Sequence, residues 1–272
     1  MKFRILSDLH LTANNGCTSL RDVNKTPRLI KSVNDAEQNI ITLIAGDIAS
    51  HTKVRQRFFD LNVGMRGYFV EGNHIVYNEE HKALSELTEN LKKDYSNTDM
   101  KCLENAYVEL DDDYIIVGAC LWTDFNLNGT QALDMYDAPR YMNDYAWGYE
   151  YNDGTLTGLW SRNILSRNQE SFNYIKEIVK KFPNKKIIVL THHCPSARCA
   201  DDKYRGAKSN TYYMSNYENF ILDNPNIVAW ICGHVHTKKD FMIGNCRVIV
   251  NAIGYKHEKH STKDDWNKIY EL

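Results

Sequence analysis

Asn39–Asp47 reads NIITLIAGD, a run of β-branched and aliphatic residues that stops on Gly46-Asp47. An apolar run of this length, bounded by turn formers, predicts a buried strand of a sheet covered on both faces. The carboxyl ends of such strands are where open α/β sheets place their chemistry. Asp47 gains weight because four other apolar runs end in the same manner, on residues able to bind metals.

On the N-terminal side, Lys2–Ser7 predicts a first strand ending on Asp8-Leu9-His10, followed by a polar loop over residues 11–24. Thr26 as N-cap and Pro27 at the first helical position then open a helix to about Glu37. On the C-terminal side come a helix over His51–Leu61 and a strand over Arg66–Glu71 that ends on Gly72-Asn73-His74. A surface helix over Glu79–Tyr95 follows, with Leu84, Leu87 and Leu91 at helical spacing. This β-α-β-α-β-α order is the signature of parallel strands joined by crossover helices.

Tyr107–Leu110 and Tyr114–Cys120, split by three aspartates, predict a hairpin. Residues 122–166 have no clean period and are rich in tyrosine and tryptophan, which reads as an insertion or lid within one domain spanning 1–272. A helix over Ser166–Phe182 precedes a strand, Lys186–Leu190, ending on Thr191-His192-His193. Residues 195–211 form a basic loop, and Tyr217–Leu222 reads as a helix. Ile227–Cys232 is a further strand, ending on Gly233-His234-Val235-His236, and Cys246–Val250 is the last before a polar tail.

Composition bounds the function classes. At 272 residues the chain can bury one large core, and 43% hydrophobic residues with a net charge of -2 suit an ordinary globular protein. That charge gives no global reason to expect nucleic acid or an anionic membrane as partner. No run reaches the roughly 18 apolar residues that span a bilayer, and Asp8 interrupts the N-terminal apolar stretch too early for a signal peptide. Seven cysteines, odd in number and without a CxxC pair, predict a reducing, cytoplasmic setting without disulfides or a structural zinc cluster.

Five strand ends thus offer Asp8 and His10, Asp47, Asn73 and His74, His192 or His193, and His234 and His236. Each histidine alone has a bland reading as a satisfied core or surface residue; their ordered recurrence after strand-like runs does not. Carboxylate plus imidazole without thiolate favours manganese, iron, zinc or nickel over calcium. Seven protein ligands exceed one tetrahedral site, and a bridging carboxylate at Asp47 suggests two divalent ions. Such a pair acidifies a bound water and clamps the oxygens of an in-line displacement at phosphorus.

The series DLH, GD, GNH, THH and GHVH, from Asp8 to His236, resembles the calcineurin-like metallophosphoesterase family in content and order. The resemblance implies a two-sheet αββα sandwich with a dinuclear centre at the strand C-termini. It implies Asp8, His10 and His236 on the first metal, Asp47 bridging, and Asn73, His192 and His234 on the second. His192 is favoured over His193 because the family's ligand directly follows the strand. His74 would lie beside the substrate, stabilising the transition state or protonating the leaving oxygen. Several positions depart from the family's branches. Ile75 stands where an acidic residue usually follows GNH, so any carboxylate orienting His74 must come from elsewhere. GDIASHT lacks the Asp and Arg of protein Ser/Thr phosphatases, and Ser50 replaces the tyrosine ligand of purple acid phosphatases. The nuclease branch normally adds a capping domain, for which little sequence remains.

The reading is therefore a metal-dependent phosphodiesterase or phosphatase acting on a small, nucleotide-type phosphoester. A nuclease is the alternative, and a non-catalytic scaffold on the same fold a third. For substrate contacts the candidates are Arg140 among the aromatics of 136–151, Arg198 in the basic loop with Lys203, Arg205 and Lys208, and Asp124 just beyond a strand. His257 and His260 in YKHEKH read as a solvated tail.

Overall fold

The computed structural model describes residues 1–14, 39–77, 81–258, 262 and 264–272. The helix expected between Thr26 and Glu37 lies outside the described residues, as does His260.

Thirteen strands are described: β1 (Lys2–Leu6), β2 (Ile40–Ala45), β3 (Gly67–Val70), β4 (Met100–Cys102), β5 (Ala106–Glu109), β6 (Tyr114–Ala119), β7 (Tyr149–Asn152), β8 (Thr155–Gly158), β9 (Lys186–Thr191), β10 (Ile227–Cys232), β11 (Lys238–Ile243), β12 (Cys246–Asn251) and β13 (Ile269–Glu271). One sheet runs β13-β1-β2-β3-β4 and the other β11-β12-β10-β9-β6-β5, while β7 and β8 form a separate hairpin. Strands β1 to β4 are parallel to one another, as are β6, β9, β10 and β12. Parallel strands with their carboxyl ends together bring Asp8, Asp47 and Asn73 to one edge of the first sheet, and His192 and His234 to the same edge of the second.

Side-chain alternation along each strand divides the core in two directions. Phe3, Ile5, Leu43 and Val70 from the first sheet meet Ile116, Ile188, Leu190, Ile231 and Ile249 from the second, filling the space between them. The alternate residues of the first sheet, Leu6, Ile44 and Phe69, pack outward against Val54, Phe58, Leu84 and Leu91 of the helices Thr52–Leu61 and Leu84–Asp94. Those of the second, including Val117, Val189, Trp230 and Val248, pack against Ile175, Ile178 and Val179 of Ser161–Lys181 and Ile221 of Glu218–Asp223. The order of layers is helix, sheet, sheet, helix.

Outside residues 122–166, three strands were not anticipated: β4, β11 and β13 lie at sheet edges and carry too few buried residues to make an apolar run. The long helix begins at Ser161, five positions before the expected start at 166; polar Ser161 and Asn168 on either side of Ile164 interrupt the apolar period of its buried face at that end. Asn168 is satisfied inside by the Leu121 carbonyl at 3.1 Å and the Tyr217 hydroxyl at 2.8 Å. Residues 122–166 are not one irregular loop. They form the helices Gln131–Tyr141 and Asp144–Trp147 and the β7-β8 hairpin.

Candidate metal centre

Strand ends that must reach a common point have to turn sharply. Asp8, His10, Asp47, His234 and His236 all hold positive φ, between 44° and 67°. That region is uncommon outside glycine, although Asp and His tolerate it better than most residues. Its clustering on the candidate ligands marks strain held in place by surrounding structure. Gly72 and Gly233 permit the close approach: a Cβ on Gly72 would lie 2.0 Å from Asp47 Oδ1, and one on Gly233 2.6 Å from Asp8 Oδ2.

The buried Asp47 carboxylate stands at the middle. Its Oδ2 is 3.4 Å from His192 Nε2, 3.7 Å from His74 Nε2 and 3.8 Å from His10 Nε2. Its Oδ1 accepts the backbone N–H of His74 at 3.0 Å. Asp8 accepts the backbone N–H of His234 at 3.0 Å and faces His236 Nε2 at 3.6 Å. His10 Nε2 and His236 Nε2 are only 2.8 Å apart.

The donor set fits cations on its own evidence of lone pairs. His192 Nδ1 lies 2.8 Å from the Ala45 carbonyl, which can only accept, so that nitrogen carries the proton. Its Nε2 is turned toward Asn73 Oδ1 at 3.0 Å and, once it gives up its proton, presents a lone pair there. Asn73 is fixed in this orientation because its amide nitrogen donates to Asp144 Oδ1 at 2.7 Å. On the other side, His236 Nδ1 donates to Glu258 at 2.9 Å, which turns its Nε2 lone pair toward His10 and Asp8. The buried Nε2 of His234 has no hydrogen-bond partner among the described residues. Carboxylates and imidazoles converging this way form three groups, Asp8-His10-His236, His10-Asp47-His74 and Asp47-His192-His234, the second sharing one residue with each of the others.

Electrostatics agree. Burial pushes the Asp47 carboxyl up, but His192 and His74 outweigh it and hold it well below the usual range. Burial pulls His192 down, and Asp47 against its ring more than reverses this, to about 9, so a proton sits where a cation can replace it. Burial lowers His10 and His234, keeping them in the neutral form that metals require. His193 is turned away from Asp47: its ring lies 5.4 Å from Trp122 and its Nδ1 3.9 Å from Cys120 Sγ.

The chain matches the family described as calcineurin-like phosphoesterase over residues 1–238. It belongs to that family. A family member is a metal-dependent phosphoester hydrolase, and the clustered donors are where this one can hold metal. Among known sequences it is similar to uncharacterized protein L509 of Acanthamoeba polyphaga mimivirus, 26% identical over 95% of this chain and 92% of that protein. Among solved structures it is similar in fold to the phosphopantetheinyl hydrolase PptH of Mycobacterium tuberculosis, at 16% identity, a TM-score of 0.72, and 94% and 90% of the two chains. A dimetal phosphatase from Danio rerio shares the fold at 11% identity, a TM-score of 0.54, and 92% and 86% of the two chains.

A cavity of about 450 Å³ opens over His74, His234 and His236, with Tyr77, Tyr141 and Tyr213 among its walls. The three substrate candidates from the sequence do not line it. Arg140 is exposed and engaged with Asp137 and Tyr136 on its own helix, one turn away. Arg198 donates to the Met242 carbonyl at 3.0 Å and stacks on Phe241 in a separate groove. Asp124 caps the backbone N–H of Asn126 at 2.9 Å. Each charged group is consumed by a local partner, which sequence spacing does not reveal.

Residues that the sequence did not single out do touch the site. Asp144 holds Asn73, Glu258 holds His236, and the Tyr255 hydroxyl lies 3.2 Å from His74 Nε2. Asp144 sits in the aperiodic insertion and the other two in the polar tail, so neither strand pattern nor motif pointed to them. Among the described residues, no helix is long and apolar enough to cross a membrane.

Proposed function

We propose that this chain hydrolyses small phosphoesters at a two-cation centre, with Asp8, His10 and His236 holding one ion, Asn73, His192 and His234 the other, and Asp47 between them. The supporting observation is Asp47 Oδ2 within 3.8 Å of three imidazole nitrogens, while the Ala45 carbonyl turns His192 Nε2 toward Asp47 and Asn73 Oδ1. Bound manganese, iron, zinc or nickel would supply the acidification of water and neutralisation of phosphoryl oxygens that this chemistry needs.

The chain's own residues do the rest. Asn73 and His192 are held in one orientation by Asp144 and the Ala45 carbonyl, so little reorganisation accompanies reaction. His74, less buried than the others at 21% side-chain exposure, reaches the cavity and can give a proton to the leaving oxygen. The cavity suits a small molecule, and its tyrosines suit a ring such as a nucleobase. Among the described residues, no Lys or Arg lines it, which favours a small ester over a polyanionic strand.

Purified protein assayed with p-nitrophenyl and bis-p-nitrophenyl phosphate, nucleotides, cyclic nucleotides and oligonucleotides, with each divalent metal, tests this reading. Turnover of a small ester with elemental analysis showing two ions per chain is expected. Cleavage confined to oligonucleotides would favour the nuclease alternative, and no turnover with any metal would favour a scaffold.

A further inference from the structure

We propose that Tyr255 is a positioning residue for His74, a role resting on the hydrolase reading above. Ile75 follows His74 and is buried, so the neighbouring position offers no polar group to orient the imidazole. The Tyr255 hydroxyl lies 3.2 Å from His74 Nε2, the same nitrogen that faces Asp47 Oδ2 at 3.7 Å.

The phenol is itself clamped. Its ring stacks on His10 with centroids 4.2 Å apart and planes 20° from parallel, and meets His236 edge-on at 5.0 Å. The Tyr255 backbone N–H donates to Glu258 at 2.7 Å, and the same carboxylate accepts from His236 Nδ1. Gly254, at φ 74°, allows this: a Cβ there would lie 2.6 Å from Glu258 Oε2. Ile253 and Gly254 are tied to the end of β1 by backbone bonds to Ser7 and Asp8 of 2.9 Å each. A segment beyond the matched family region is thereby fixed against the strand end that carries Asp8 and His10.

With the hydroxyl oxygen accepting from Nε2–H, the proton of His74 is kept on the nitrogen that faces the cage. In the reaction water adds to phosphorus and releases a proton to solvent. The bond to the leaving oxygen breaks with its electron pair on that oxygen, which takes the Nε2 proton; His74 regains one from solvent.

The test is a double-mutant cycle of Tyr255→Phe and His74→Ala on aryl phosphodiesters whose leaving phenols span about three pKa units. Phenylalanine keeps the ring on His10 and removes only the hydroxyl. The expected result is unchanged metal content, and turnover of the poorest leaving groups slowed on the order of 10-fold or more, with little loss for the best. In the His74→Ala background the same change costs nothing further. Imidazole ¹⁵N spectra of the metal-free protein should shift at His74 on Tyr255→Phe. Equal slowing of all leaving groups, an added loss in the His74→Ala background, loss of metal, or an unshifted His74 would each overturn the role while leaving the hydrolase reading intact. A wild-type protein inactive on every ester would remove that reading, and this inference with it.

Discussion

Asp47 and Glu104 are both about 4% exposed, yet their surroundings push them in opposite directions. Asp47, in the cage, is ringed by His192, His74 and His10 and is held well below the ordinary carboxylate range in spite of burial. Glu104, behind it, is raised well above that range by burial and then by Glu71, although it accepts the Cys120 N–H at 2.7 Å. Glu71 is itself raised to about 7 by burial, which Arg167 and the Thr88 hydroxyl only partly offset. Burial alone does not set a carboxylate's charge; the groups facing it do. The cage is a place that wants positive charge, whereas the Glu71–Glu104 region is one that keeps its protons.

The strongest way to break this comparison is Asp47→Ala. Removing the central carboxylate should abolish metal retention and lower kcat/KM by several kcal/mol, on the order of 10³-fold. Elemental analysis and steady-state kinetics on the same preparation check it, and retained metal would show that Asp47 is not central. Asp144→Ala reaches the cage through Asn73, leaving its buried amide N–H without an acceptor. Metal affinity should fall by about 10–100-fold, measured by calorimetric titration, with the fold intact by circular dichroism.

The second region is sharpened by pH. Glu71 binds its proton more tightly folded than unfolded, from 4.5 to about 7. Between those values the native state holds more protons than the unfolded one, so stability is fully present below about pH 4.5 and declines as pH rises toward 7. Glu104 is raised in the same direction. Glu104→Gln removes one charge of the pair and should stabilise the protein measurably at pH 8 and by little at pH 5. Urea unfolding at the two pH values would show this; an equal gain at both would mean that the carboxyls do not titrate with folding.

The smallest effect belongs to the outer face of the insertion. Arg140 pairs with Asp137 there, away from the cavity. Arg140→Ala should change kcat/KM and stability by less than about twofold and 0.5 kcal/mol. A tenfold rise in KM would place it on the substrate after all.

Much of this was legible before any fold was known. Strands β1, β2, β3, β9 and β10 each write a burst of apolar residues, because parallel strands buried on both faces have no polar side to interrupt them. The Asp, Asn and His at their ends stand out against that background. Edge strands β11 and β13 carried no such burst, since exposed Lys238, Asp240 and Met242 alternate along β11 and β13 is three residues long with only Tyr270 buried. The start of the long helix was masked by Ser161 and Asn168, polar residues on its buried face whose partners, the Met135 and Leu121 carbonyls, come from distant segments.

The sequence by itself determined the α/β class with parallel buried strands and the Asp, Asn and His residues that stand at their carboxyl ends, because both follow from local pattern along single strands. Tertiary structure alone decided that His192 faces Asp47 while His193 turns toward Cys120 and Trp122. It alone brought Asp144, Tyr255 and Glu258 to Asn73, His74 and His236, across separations of 71, 181 and 22 residues. Contacts of that kind depend on where two chain segments end up in space, and no periodicity within either segment encodes it.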